Sequence, residues 1–210
     1  MFVRDCMTAN PITITKDTPI FQALEIINKH KIRHLPVVQD GKLIGIVTER
    51  GLLRISPSPA STLSVYELNY ILAKLTVAEA MVKNPITTTP DTPIEEAALV
   101  MREHKIGCLP VLEKGQLVGI ITQTDMVEAL VRLFNLRKAG SRLVIEATDR
   151  IGVLAEITSF FREKGISIRS LATLEREPGV YHLTLRLNIP DARDLARELE
   201  SMGYKIISVS

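Results

Sequence analysis

The run Gly119-Ile120-Ile121-Thr122-Gln123-Thr124-Asp125 places a hydroxyl and a carboxylate three residues apart, where a β-rich stretch gives way to a helical one. A carboxylate there can accept both hydroxyls of a ribose, and the Thr122 hydroxyl can serve ribose or phosphate. The same residues can equally serve the helix, with Thr122 or Thr124 as N-cap and Asp125 complementing the dipole. A second pair, Arg33-His34, offers phosphate-binding cations or a solvated pair at a helix-to-strand turn. These are groups for holding a ligand. The sequence contains no G-x-S-x-G, no phosphate-binding P-loop, no HExxH and no CxxC. Asp125 beside His34 is the one conceivable acid–base pair, and each has a simpler binding role. We therefore expect no enzyme, no cofactor and no metal. His30 and His104 recur at equivalent helix ends, which fits C-capping rather than metal ligation.

That recurrence belongs to a larger one. A shift of about 74 residues aligns Val3–Leu53 with Val77–Val127 without a gap, with roughly 23 of about 51 positions identical. ANPITITKDTPI returns as KNPITTTPDTPI, HKIRHLPV as HKIGCLPV, and GKLIGIVT as GQLVGIIT. Two copies related by a pseudo-twofold axis would form two equivalent clefts. The first copy has Gly51 where the second has Asp125, and the second has Gly107-Cys108 where the first has Arg33-His34.

Each copy reads as βαββα. Ile12–Thr15 and Ile86–Thr89 are extended and β-branched. Thr18-Pro19 and Thr92-Pro93 mark helix starts, a threonine N-cap followed by proline, and Thr92 to Glu95 fits a capping box. Paired strands Leu35–Val38/Leu43–Thr48 and Leu109–Leu112/Leu117–Thr122 turn at Asp40-Gly41 and Lys114-Gly115, and a second helix follows each hairpin. Between the copies SPSPAST reads as a loop, and Val65–Leu75 as an amphipathic helix.

After Ala139-Gly140 the pattern changes. Arg142–Ala147, Ile166–Leu174, Val180–Asn188 and Tyr204–Val209 read as strands, and Ile151–Lys164 and Asp191–Met202 as helices. The order βαββαβ is ferredoxin-like. The fold class is therefore α+β: two βαββα repeats as a pseudo-twofold pair plus a ferredoxin-like module. The expected divisions are 1–56, linker 57–76, 77–138 and 141–210.

Net charge near +2 and few aromatics argue against a nucleic-acid partner. No apolar run reaches the ~18 residues of a membrane span, and no secretory leader is read, so a cytoplasmic location is expected. Cys6 and Cys108 are read as buried free thiols.

The P-I-T stretch, the H-L-P-V or C-L-P-V hairpin and the closing G-h-h-T-x-x-D (h, hydrophobic) resemble the cystathionine-β-synthase (CBS) domain in tandem. TDRIGVLAEIT and KGISIRSL resemble the ACT domain of amino-acid-controlled enzymes. The CBS resemblance implies crossed clefts, the T-x-x-D of one copy facing the P-I-T stretch and hairpin of the other. Thr122 and Asp125 would then share a cleft with Asn10, Ile12, Ile32, Arg33, His34 and Pro36, with Ile12 and Ile32 lining a base slot. That cleft would take an adenosine-containing ligand: AMP, ADP, ATP or S-adenosylmethionine. The opposite set, Thr48 and Gly51 with Asn84, Ile86, Ile106, Gly107, Cys108 and Pro110, lacks carboxylate and cations and would be degenerate. The ACT resemblance points to Asp149, Arg150, Ile151 and Gly152 as an amino-acid loop. Ile151 and Ser167 depart from the family's usual Pro and Asn, so a ligand-free dimerisation module is the alternative. The chain would be a ligand-sensing regulatory homodimer acting on an effector protein; the rival is a structural dimer with vestigial clefts.

Overall fold

The computed structural model describes residues 1–55 and 75–210. The helix expected at Val65–Leu75 lies outside the described residues except for its last position. The chain forms two units, Met1–Val127 and Glu128–Ser210.

In the first unit the elements are β1 (Thr8–Ala9), α1 (Ile20–His30), β2 (His34–Gln39), β3 (Lys42–Thr48), α2 (Glu49–Ile55), α3 (Val77–Ala80), β4 (Val82–Lys83), α4 (Ile94–Glu103), β5 (Cys108–Glu113) and β6 (Gln116–Thr122). Helix α5 (Gln123–Leu133) follows. The hairpin turns carry positive φ at both central residues, 49° and 76° at Asp40-Gly41 and 50° and 80° at Lys114-Gly115. That geometry matches the twist of the flanking strands.

The copies are interlaced. Strand β1 precedes the first copy's helix yet pairs antiparallel with β6 of the second, Thr8 opposite Ile120 and Ala9 opposite Gly119. Strand β4 returns the exchange onto β3, Gly45 opposite Lys83. Glycine lets the strands approach closely at both crossings. A Cβ at Gly119 would lie 2.5 Å from Met7 Sδ, and one at Gly45 would lie 2.9 Å from Met81 Sδ. Buried Ile46, Cys108 and Ile120 form an apolar cluster between the copies.

Two expectations change here. The stretches Ile12–Thr15 and Ile86–Thr89 are not strands; each contributes one parallel bridge, Ile14 with Val37 and Thr88 with Val111. Nor do Thr18 and Thr92 cap helices. Their hydroxyls accept from Thr15 N and Thr89 N, at 3.2 and 3.3 Å, closing the turn before each helix. Pro19 and Pro93 occupy the N-cap positions without a side-chain cap, and Glu95 closes no capping box. Backbone from outside each copy meets the helix starts instead: Ile20 N donates to Leu75 O and Ile94 N to Met1 O, each at 3.1 Å. A capping box forms at Thr76–Glu79, at the start of α3. Cys108 is buried and Cys6 only partly so, with Cys6 Sγ donating to Met1 Sδ at 3.1 Å.

The second unit contains β7 (Arg142–Thr148), α6 (Val153–Glu163), β8 (Ile168–Glu177), β9 (Val180–Leu187), α7 (Arg193–Ser201) and β10 (Lys205–Val209). Its antiparallel sheet runs β10-β7-β9-β8, the ferredoxin-like order. Leu143, Ile145, Leu183 and Leu185 alternate inward against Ile157, Phe161, Leu195 and Leu199 from the two helices. Helix α6 starts two residues later than its apolar period suggests, leaving Ile151 fully exposed.

Candidate functional site

A cleft of about 410 Å³ opens in the first unit. Asn10, Ile12, Ile32, Arg33 and His34 reach it from the first copy, and Thr122 and Asp125 from the second. Pro36 does not line it; the residue is buried in β2 opposite Ile46. Thr8, Pro11, Lys31, Gly107, Ile120, Gln123 and Thr124 complete the walls.

The interlacing explains this convergence. Asn10 follows β1, and its amide donates to Val118 O of the other copy at 3.0 Å. It turns the chain through a left-handed residue, φ 47°, which asparagine tolerates better than most. Helix α1 ends at Lys31 in the same conformation, φ 53°. The left-handed cap swings Ile32 and Arg33 across the cleft and leads into β2, whose first residue is His34. Lys31 is an additional cation whose signal lay in its position just past the helix.

Asp125 serves its helix. Its Oδ2 accepts from Thr122 N and Thr122 Oγ1, each at 2.8 Å, and Thr122 Oγ1 takes the Asp125 amide at 3.4 Å. The helix-capping arrangement weighed from sequence is therefore present. Among the described residues these bonds engage Oδ2 alone, so capping leaves Oδ1 for a ligand hydroxyl.

His34 is held well inside the cleft. Burial lowers its pKa from the usual imidazole value, and neighbouring Arg33 lowers it further. Its ring lies against Gly107: a Cβ on that glycine would meet Nε2 at 3.1 Å. Gly107 was expected in the opposite cleft, but it lines this one. It also anchors the nearby helix, its carbonyl accepting from Gln123 N at 3.0 Å.

The residues of the opposite set are placed differently. Thr48 Oγ1 caps α2 by accepting from Gly51 N at 3.0 Å, with no carboxylate to reciprocate. Cys108 and Pro110 are buried, and burial pushes the Cys108 thiol up to about 12. Asn84 repeats the left-handed turn of Asn10, with φ 47°. Ile86 is exposed and Ile106 half-buried.

In the second unit, Asp149, Arg150, Ile151 and Gly152 join β7 to α6. The Arg150 guanidinium grips Glu156 in a two-pronged pair at 2.6 and 2.5 Å. Tyr204 Oη also donates to Glu156, at 2.9 Å. These bonds hold the Glu156 carboxyl at about 2. Gly152, with φ 91°, starts α6 without a side-chain cap.

Paired βαββα copies that exchange strands and share a cleft, followed by a four-stranded ferredoxin-like sheet, define a class of repeat-built modules with an appended small domain. The chain belongs to the CBS domain family: a CBS family model matches residues 3–58 and 77–132, and an ACT domain model matches residues 141–203. A CBS domain-containing protein of Dictyostelium discoideum is 36% identical over 135 residues, covering 63% of this chain and 93% of that protein. Inosine-5′-monophosphate dehydrogenase of Aquifex aeolicus is 37% identical over 125 residues, 58% of this chain but only 23% of that enzyme. Among solved structures, a Vibrio cholerae protein assigned to acetoin utilization (AcuB) is 33% identical with a TM-score of 0.54, over 65% of this chain and 95% of that one. CBSX2 in complex with AMP is 30% identical (TM-score 0.53, 63% and 97% covered). A CBS domain pair in complex with 5′-methylthioadenosine and S-adenosyl-L-methionine is 31% identical (TM-score 0.51, 62% and 95% covered).

Proposed function

We propose that this chain is a regulatory sensor that binds one adenine nucleotide in the cleft between its CBS copies. The observation carrying this reading is the convergence of Thr122 and Asp125 with Arg33 and His34 on one 410 Å³ cleft. Asp125 Oδ1 accepts the ribose hydroxyls, Ile12 and Ile32 flank the base, and Arg33 with His34 and Lys31 meets the phosphates. CBSX2 with AMP supports the ligand class. The opposite cleft, with Thr48 and Gly51 facing Cys108, stays empty or takes a less charged ligand.

Binding across two copies favours one arrangement of the pair over others, and that differential affinity is the signal. The chain works as a homodimer in the cytoplasm and passes the signal to a metabolic effector protein rather than catalysing a reaction. The likeness to AcuB supports an effector in acetoin or acetyl-CoA metabolism. In the ACT module, Asp149, Arg150, Ile151 and Gly152 serve as an amino-acid loop only if Arg150 is released from Glu156. A second ligand reading, S-adenosylmethionine, is favoured by the neighbour solved with that compound; its sulfonium would face the cations Arg33 and Lys31, which disfavour it.

Native mass spectrometry of freshly purified protein, followed by calorimetric titration of AMP, ADP, ATP and S-adenosylmethionine, tests the assignment. One nucleotide per chain, lost in Asp125→Ala and in Arg33→Ala, is the expected result. Unchanged affinity in both variants would overturn it, and failure of all four compounds to bind would leave a structural dimer with vestigial clefts.

A further inference from the structure

The ferredoxin-like sheet has one face on its helices and one face away from them. Two arginines stand side by side on the second face. Arg142 of β7 is directly opposite Arg186 of β9, and both alternate with the core residues Leu143 and Leu185. Like charges directly opposite on neighbouring strands repel. Both side chains are also half-buried, so they have given up water, and a guanidinium cannot shed its charge.

No side-chain carboxylate among the described residues pairs with either, and Ser210 O accepts the Arg142 amide at 2.5 Å. Arg142 Nη1 donates to Ser208 Oγ at 3.1 Å. Arg186 has no ion pair or side-chain hydrogen bond among the described residues. Elsewhere in the unit exposed Arg137, Arg150, Arg193 and Arg197 each hold a carboxylate, and Arg162 and Arg176, which hold none among the described residues, are exposed to water. Glu146, farther along β7, is already engaged by Lys205 at 3.0 Å and His182 at 3.3 Å. Hydroxyl groups stand nearby; Ser170, opposite Arg186 on β8, donates to Phe134 O at 3.3 Å. Ser208 keeps its own proton to donate, and Thr184 lies beside Arg186 on the same face, opposite Val144.

We infer that Arg142 and Arg186 form a seat for the dianionic phosphoryl group of a small metabolite. Two adjacent guanidinium forks match the charge of a phosphate dianion and can each donate in pairs to its oxygens. A bound dianion removes the repulsion and replaces the lost water. The site is separate from the nucleotide cleft, which uses other residues in the other unit.

The test titrates inorganic phosphate into the full chain at constant ionic strength, following backbone amide resonances of β7 and β9. Wild type should show saturable binding in the millimolar range. Arg186→Gln should weaken it at least tenfold, Arg186→Lys should fall between, and Arg33→Ala should leave it unchanged. Circular dichroism checks folding, and if Arg186→Gln does not fold, Arg186→Lys carries the comparison. The proposal is overturned by no saturable response, by wild-type affinity in the Arg186 variants, by loss in Arg33→Ala, or by equal shifts with sodium chloride or acetate.

Discussion

The His34 imidazole fills the space that a side chain at residue 107 would need, its Nε2 standing 3.1 Å from where a Gly107 Cβ would be. These positions come from different copies, and Gly107 is the counterpart of Arg33. Losing the side chain at 107 therefore does more than remove a cation from one copy: it makes room for the other copy's histidine. Gly107 has no positive φ, so a substitution there acts through sterics rather than backbone strain. Gly107→Ala should push the ring from its place and weaken AMP binding about fivefold, ~1 kcal/mol, with the fold intact. Calorimetry and the His34 ring resonances check it; an unmoved ring with unchanged affinity would refute the coupling.

His34 also predicts a pH dependence. Burial and Arg33 lower its pKa from the usual 6.5, so the folded protein binds this proton less readily than the unfolded chain does. Stability from this group is therefore complete above about 6.5 and declines as pH falls below it. Phosphate has the opposite effect, because a nearby dianion favours the imidazolium. The charged groups that share the cleft with the ring are Arg33 and Lys31 from its own copy and Asp125 from the other. AMP binding should take up a fraction of a proton near pH 6.5, read from calorimetry in buffers of different ionisation enthalpy. His34→Gln should abolish both the uptake and the acid-side loss of stability.

Repeat asymmetry allows a reciprocal experiment. Asp125 closes a hydrogen-bonded box with Thr122, whereas Gly51 offers Thr48 only its amide. Gly51→Asp should complete the box in the first copy and stabilise it by ~0.5–1 kcal/mol, a rise of about 1–4 °C in melting temperature. The close approach of the new Cβ to Thr48 Oγ1, 3.1 Å, takes back part of the gain. The variant should not bind a second nucleotide, since the positions equivalent to Arg33 and His34 are Gly107 and Cys108 and the second copy has no such cation pair. Asp125→Ala should lose ~1 kcal/mol of stability along with the nucleotide. Two nucleotides per Gly51→Asp chain would show that the carboxylate alone decides occupancy.

The limits of the sequence reading follow from where each partner lies along the chain. The hairpins at Asp40-Gly41 and Lys114-Gly115 were legible because turn chemistry and alternation are local. The convergence of Arg33 and His34 on Thr122 and Asp125 was legible through the duplication and the family resemblance, which supply the crossing that local pattern cannot. What stayed hidden was contributed from a distance. Thr18-Pro19 has every local mark of a capped helix start, yet the Ile20 amide is taken by Leu75 from beyond the first copy. Gly107 looked like a simple loss, because only the folded pair shows His34 resting on it. Lys31 carried no local signal of a site; its left-handed conformation puts it in the cleft wall.

The Arg150–Glu156 pair decides what the loop after β7 can do. With both prongs of Arg150 on Glu156 and Tyr204 Oη on the same carboxylate, the cation that would recognise an amino acid's carboxylate is occupied. Glu156 titrates near 2 against an ordinary 4.5. The stability it lends is therefore present above about 4.5 and lost as pH falls toward 2, and solvent screening keeps it small because both side chains are half exposed. Glu156→Gln should remove that acid dependence and free Arg150. A panel of amino acids should leave the melting temperature of wild type unchanged, and any that binds the loop should raise it only in Glu156→Gln. A clear rise in wild type would show that a ligand carboxylate displaces Glu156 unaided, and the loop would then be a working amino-acid site.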